Sequence, residues 1–312
     1  MGARTVGWQG QNVSTLQPMR YLPKTVTAML LGVLLLSQSA IAQIIDIKSG
    51  KEISAQVLAE RLRTADIVLL GELHDNVRHH ELRGRLIAQF ADPGRTVVAE
   101  HLPDTGQVVF QSDTRTDLEA AGFDAAGWEW PAHQALYEQI RARGLTLVGG
   151  NLPKERARQI FLQGVTGLPD RMAQTYASAR LDGPAEKSLD HDLIEGHCGK
   201  LPDRYLLRMR FAQRIADIAM AHALLDHRPS VLVAGNGHVR KDYGVPQVLA
   251  AAAPTLKQLS VGFLERSGDP QRPVQESAQD LINSVSNQYD FVWLTERAER
   301  KDPCQDFKLK QN

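Results

Sequence analysis

The 36 Lys and Arg residues of this 312-residue chain are matched by 36 Asp and Glu, so its formal net charge is zero. That balance excludes the basic footprint of a nucleic-acid binder. No run of like charges suggests a disordered tail, and there are no internal repeats, low-complexity tracts or long linkers. No Walker loop, Gly-x-Ser-x-Gly elbow or His-Glu-x-x-His pair occurs, which argues against the common serine hydrolases of α/β type. The absence of Cys-x-x-Cys-His excludes covalent haem attachment. Only two cysteines are present, Cys198 and Cys304. A zinc site usually shows more cysteines at short spacing, so a metal role for Cys198 beside His197 is the weaker reading. A disulfide between the two is expected once the chain is exported.

The single long apolar run lies near the N-terminus. Arg20 and Lys24, then Thr25 to Leu36, then Ala40-Ile41-Ala42 follow the order of a secretory signal, namely a basic region, an apolar core and a small-residue cleavage site. Cleavage after Ala42 is expected, with residues 1–42 removed. Met19 stands just ahead of the basic residues, so residues 1–18 read as an over-extended start. The run is shorter than the ~20 residues a spanning helix needs. No cysteine lies near the cleavage site, so a lipid anchor is not supported and the periplasm is the expected location.

The remaining chain alternates two patterns. Short β-branched or Leu-rich runs at about 67–71, 96–100, 145–149, 231–235, 259–264 and 290–295 read as strands. Helical spacing appears over Val77 to Phe90, Gln134 to Arg143 and Tyr205 to His227. In the last, Leu207, Phe211, Ile215, Ile218 and Leu225 form one apolar face, with Arg208, Arg210 and Arg214 read as a solvated face. Alternating strands and helices imply a mostly parallel sheet covered on both faces. The stretch from about 153 to 228 contains no convincing strand and reads as an inserted helical subdomain of a domain spanning 43–312.

Four of the strands end in polar residues. Glu72, His74, Asp75 and Asn76 follow the first, Glu100 and His101 the second, Asn151 the third, and Asn236 and His238 the fourth. Ligand sites of open α/β sheets lie at the carboxyl ends of the strands. Glu72, His74, Glu100 and His238 therefore form a candidate cluster for a divalent metal or for acid–base chemistry. The plainer readings are helix capping by Asp75 or Asn76 and tight turns at Gly71, Gly235 and Gly237. His79 could face this site, His80 is read as facing solvent or packing, and His222 as a core histidine.

These residues resemble the ChaN-like family of exported haem-binding proteins, within a wider group that includes erythromycin esterases and the TraB/Tiki proteins. The resemblance is carried by Gly71-Glu72-x-His74-Asp75-Asn76 with His79; Val97 to Glu100; Trp130-x-x-His133 running to Gly149-Gly150-Asn151-Leu152-Pro153; His197-Cys198-Gly-x-Leu201-Pro202; Ala212-Gln213 with Asp217; and Gly235-Asn236-Gly-His238-Val239. It implies a sheet-centred α/β domain with a helical subdomain, and a role in haem-iron uptake at the outer membrane. It further implies haem held through a Tyr, with haem pairs between two subunits, and so a homodimer and a haem receptor as partners. Tyr137, Tyr176 and Tyr205 are the candidate axial ligands. His133 joins them, because relatives often carry Tyr at that position after Trp130. Lys154, Arg156, Arg158 or Arg208 could meet the propionates.

Three functions remain open from the sequence. The first is a haem-binding protein without turnover. The second is a metal-dependent hydrolase, protease- or esterase-like, using Glu72, His74, Glu100 and His238. A structural envelope protein, the third possibility, would leave those side chains unconverged.

Overall fold

A computed structural model describes residues 43–266, 278–302 and 304–305; the expected signal segment lies outside these. Nine strands are present among them: β1 (Gln43–Asp46), β2 (Lys51–Ile53), β3 (Ile67–Leu70), β4 (Thr96–Pro103), β5 (Gln107–Val108), β6 (Thr146–Asn151), β7 (Ser230–Val233), β8 (Gln258–Glu265) and β9 (Phe291–Thr295). The helices are α1 (Ala55–Arg63), α2 (Val77–Phe90), α3 (Thr114–Ala120), α4 (Gln134–Ala142), α5 (Lys154–Gln163), α6 (Asp170–Ser178), α7 (Gly183–Gly196), α8 (Asp203–Asp226), α9 (Val245–Ala252) and α10 (Ala278–Val285). A short 3-10 turn, Gly164–Gly167, follows α5.

All nine strands join one sheet in the order β2-β1-β9-β8-β3-β7-β4-β6-β5. The six from β9 to β6 run parallel, and the strands outside them pair antiparallel. This is the expected mostly parallel α/β sheet. Its central strands are buried on both faces, and successive side chains point to opposite sides. On β3, Val68 and Leu70 enter one core with α1, α2 and α4. Ile67 and Leu69 enter the other with α8 and α9.

The helix bounds follow local chemistry. Asn76 caps α2 by accepting from the backbone N–H groups of Arg78 and His79, which satisfies donors left free at a helix start. Between β6 and β7 the described chain is helical. The long helix α8 buries Ile215 and Ile218, as its apolar spacing predicts, with Phe211 and Leu225 of the expected face only partly buried and Leu224 buried instead; its first turns do not follow, and Leu207 is 68% exposed. Arg214 departs from the solvated reading. It is buried and donates to the carbonyls of Tyr243 and Ala179 and to Gln247 Oε1, which lets a guanidinium sit inside the protein. Among the described residues no helix is long and apolar enough to cross a membrane.

Candidate functional site

The carboxyl ends of β3, β4 and β7 are adjacent in the sheet, and their polar residues form two groups on its two faces. The first surrounds Glu72, whose side chain is fully buried. His74 Nδ1 lies 2.7 Å and His101 Nε2 3.0 Å from Glu72 Oε1, and His133 Nε2 is 3.5 Å from the same oxygen. The Arg83 guanidinium meets Glu72 Oε2, and His80 Nδ1 is 3.0 Å from it. Two elements of the first core supply this group's interior. Helix α2 places His80 and Arg83 one turn apart, and α4 places His133 at its start and Tyr137 one turn later. Tyr137 Oη lies 2.9 Å from His101 Nδ1. The Trp128 ring stands 4.6 Å from His101 and 5.1 Å from His74, closing the cluster.

The second group joins Glu100, His238 and Asp217. His238 Nδ1 is 2.7 Å from Asp217 Oδ1, and its Nε2 is 3.3 Å from Glu100 Oε1. Glu100 Oε2 accepts from the Gly235 N–H at 2.7 Å. The groups meet at Gly235, where an added Cβ would lie 2.9 Å from His74 Nε2 and 3.6 Å from Glu100 Oε2.

Charge is distributed unequally between them. Burial pushes His80 down to about 4 and holds His101 and His133 below the usual imidazole range, so these rings are neutral at pH 7. Burial also lowers Arg83, to about 9. Burial opposes the charge of His238 too, but the Glu100 charge and the Asp217 hydrogen bond outweigh it and push His238 up to about 10. That group is an imidazolium between two carboxylates. Glu100 is held below the usual carboxylate range by His238 despite its burial.

All four strand-end residues singled out from sequence thus lie at one edge, but they divide: Glu72 with His74, and Glu100 with His238. His79 turns away. Its Nδ1 accepts from the Leu73 N–H and its Nε2 lies 2.8 Å from Thr295 Oγ1. His80, read as facing solvent or packing, is wholly buried in the first group. Asn236 is structural, bonding the backbone of Phe263 through both ends of its amide. Asp75 pairs with Arg300 at 2.5 Å. Arg83, Asp217 and the pairing of Tyr137 with His101 were not anticipated. One signal was available: Arg83 lies on the same stripe of α2 as Leu86 and Phe90, an inward face where a lone charge needs a partner.

Among the haem-ligand candidates, Tyr137 and His133 are buried. Tyr176 is half-buried, edge-on to Phe211 at 5.4 Å. Tyr205 is half-buried, with the Arg204 guanidinium 5.0 Å from its ring. Cys198 and Cys304 form the expected disulfide. A cleft of about 310 Å³ opens between β6 and helices α5, α6 and α8, lined in part by Leu152, Arg156, Met172, Ala219, His222 and His227.

The profile of the haem-binding uptake proteins of the Tiki superfamily, ChaN, matches residues 58–249, more than half of the chain. The ChaN protein of Campylobacter jejuni, whose structure is described as showing cofacial haem binding, superposes with a TM-score of 0.61 at 20% identity, over 81% of this chain and 96% of that one. A Bacillus cereus protein aligns with a TM-score of 0.44 at 13% identity, covering 78% and 92%. The first likeness establishes a shared fold. No curated protein matches the sequence.

Proposed function

We propose a function from one premise: the chain belongs to the Tiki-superfamily, ChaN family of haem-binding uptake proteins, and it carries haem on the outer face of its helical stretch. The observation that carries this placement is an uncovered apolar surface. Leu162 and Leu207 are each 68% exposed and Val165 is 51% exposed. Leu162 follows Phe161 in α5 and Leu207 precedes Arg208 in α8, and the Phe161 ring lies 5.8 Å from the Arg208 guanidinium, which brings the two helices together. Exposed apolar side chains on neighbouring helices suit a binding surface, and a flat apolar macrocycle fits one.

Tyr176 on α6 and Tyr205 on α8 are both half-buried, within reach of solvent, and a phenolate suits ferric iron. Tyr137 would have to leave the core and its His101 partner to serve. Arg156, Arg158, Arg204 and Arg208 supply cations for propionates; Lys154 already pairs with Asp124. A second copy of the chain laid across this face would cover its leucines and pair the haems cofacially, as described for the C. jejuni protein. The disulfide supports an oxidising compartment, and with the signal-like N-terminus it supports a periplasmic carrier receiving haem from an outer-membrane receptor.

The test is a titration of the mature protein with hemin, followed by absorbance. Saturable binding with a ferric–phenolate spectrum is expected, lost in Tyr176→Phe or in Tyr205→Phe. Absence of saturable binding overturns the reading. The alternative, hydrolysis at the sheet edge, draws support from the gathering of Glu72, His74, Glu100 and His238 there. Turnover of an ester or peptide by the wild type but not by His74→Ala would favour it.

A further inference from the structure

Strand β9 runs parallel to β8, and β8 to β3. The chain therefore leaves β9 at the same edge of the sheet where Glu72 and His74 follow β3. Beyond Thr295 it settles on Glu265, the last residue of β8. Arg300 donates to both oxygens of that carboxylate, from Nη1 to Oε2 at 2.8 Å and from Nη2 to Oε1 at 2.5 Å. The Ala298 N–H donates to Oε1 at 2.9 Å. Arg300 Nε also faces Asp75 Oδ2 at 2.5 Å. Asp75 is the residue after His74, so one guanidinium ties the tail to the loop that carries His74.

The tie extends to the start of α2. Asn76 Nδ2 donates to Glu265 Oε1 at 2.7 Å and to Glu296 O at 3.4 Å. With the nitrogen end of the amide held there, its Oδ1 is aimed at the Arg78 N–H, 3.0 Å away, which caps the helix. The Glu265 side chain is only 9% exposed. Taking Arg300 away leaves a nearly buried charge unpaired, so departure of the tail favours opening of this loop to water.

A covalent bond holds the tail in place. Cys304 is joined to Cys198, in the turn that follows α7. The tail from Glu296 to Asp302 is thereby fixed beyond both ends, by β9 and by the disulfide, which keeps Arg300 at high effective concentration beside Glu265. Partly exposed ion pairs hold little by themselves. Both cysteines are half-buried, within reach of a thiol. Cys198 stands at φ 59°, a left-handed conformation uncommon for a residue with a Cβ, and outliers of this kind gather at switch regions.

We propose that the disulfide is a redox latch on this strap, and that its reduction loosens the loop from His74 to Asn76 at the sheet edge. The reductant is a protein dithiol. One of its thiolates attacks a sulfur of the bond, which forms a mixed disulfide and releases the other cysteine to take up a proton. Its second thiol then displaces the remaining cysteine. The reductant leaves as a disulfide and this chain gains two thiols. The His74 side chain is 48% exposed and lies 2.7 Å from the buried Glu72, so it stands between solvent and the cluster. Loosening its loop admits solvent to Glu72 and His101. The latch does not depend on haem binding.

Amide hydrogen exchange of the mature protein is followed by NMR with the disulfide intact and in dithiothreitol. Reduction is expected to speed exchange about tenfold or more at Ala298 and Arg78, and reoxidation to restore protection. Thr116 is the control. Its N–H is held by the Asp113 cap of α3 at 3.1 Å, remote from the tail in sequence, and should not change. Arg300→Met with its disulfide intact should show the same gain at Arg78. Diethyl pyrocarbonate should label His101 faster in the reduced protein. Equal exchange at Arg78 in the two redox states overturns the proposal. A rise as large at Thr116 also overturns it, because the loosening is then general. Wild-type protection of Arg78 in oxidised Arg300→Met, or equal labelling of His101 in both states, overturns it as well.

Discussion

Asp217 Oδ1 accepts a hydrogen bond from His238 Nδ1 at 2.7 Å, tying helix α8 to the loop that follows β7. With Glu100 Oε1 3.3 Å from the other ring nitrogen, the imidazole is clamped between two carboxylates, one from each side. This raises His238 from 6.5 to about 10. A base raised on folding contributes stability that is complete below its unfolded value and is lost as pH rises through the folded one. The thermal midpoint is therefore expected to fall between pH 6.5 and about 10. His238→Gln should be less stable at pH 7 and should lose most of that slope, and the difference between the two proteins isolates this group from other titrations. Parallel wild-type and variant curves across that range would refute the clamp.

The opposite sign governs the acid side. Burial pushes His79 down to about 3 and His80 to about 4, and it lowers His101 and His133 as well. These rings stay neutral when folded and take up protons when unfolded below pH 6.5. Each group then weakens the fold by up to about 1.4 kcal/mol per pH unit. Urea midpoints should drop steeply from pH 6.5 toward pH 4, with several protons taken up on unfolding at pH 5. Equal midpoints at pH 7 and pH 5 would contradict the burial of neutral histidines.

Six central strands were legible because strands buried on both faces read as short unbroken apolar runs, as Ile67 to Leu70 does. The outer, antiparallel strands β1, β2 and β5 were not: they are two to four residues long and are held by pairing rather than by pattern. The sheet edge carrying Glu72, His74, Glu100 and His238 was legible from strand ends alone. Its division into two groups was not. That division depends on which face of the sheet each side chain takes, and on Asp217, Arg83 and His133, which arrive from helices. Leu207 shows the converse failure, since helical periodicity marks an apolar residue as inward even where nothing packs over it.

The Cys198–Cys304 bond closes a segment of 106 residues. In the chain-entropy account a loop of that size stabilises by up to about 4–5 kcal/mol. The same tail is held by Arg300, which pairs with Asp75 and with Glu265. Cys198→Ser and Cys304→Ser are expected to lose equal stability, with no further loss in the double variant. Urea unfolding with a free-thiol assay checks both points. Two reactive thiols in protein recovered from an oxidising compartment would show the bond unformed.

Two glycines separate a clash with backbone from a clash with a side chain that can move. A Cβ on Gly149 would fall 1.7 Å from Pro103 O and 2.5 Å from its carbonyl carbon. Those are backbone atoms of the neighbouring strand and cannot yield without moving β4, so Gly149→Ala should destabilise by about 3 kcal/mol, the upper end for overpacking. A Cβ on Gly235 meets the His74 ring instead, with Nε2 at 2.9 Å and Cε1 at 3.1 Å. That side chain is half exposed and can swing toward solvent, so the stability loss should stay within about 1 kcal/mol. Gly235→Ala is therefore expected to shift its unfolding midpoint only slightly, while Gly149→Ala shifts it severalfold more. Measuring the urea midpoint of both variants decides this, and equal losses would show that the His74 ring does not swing aside.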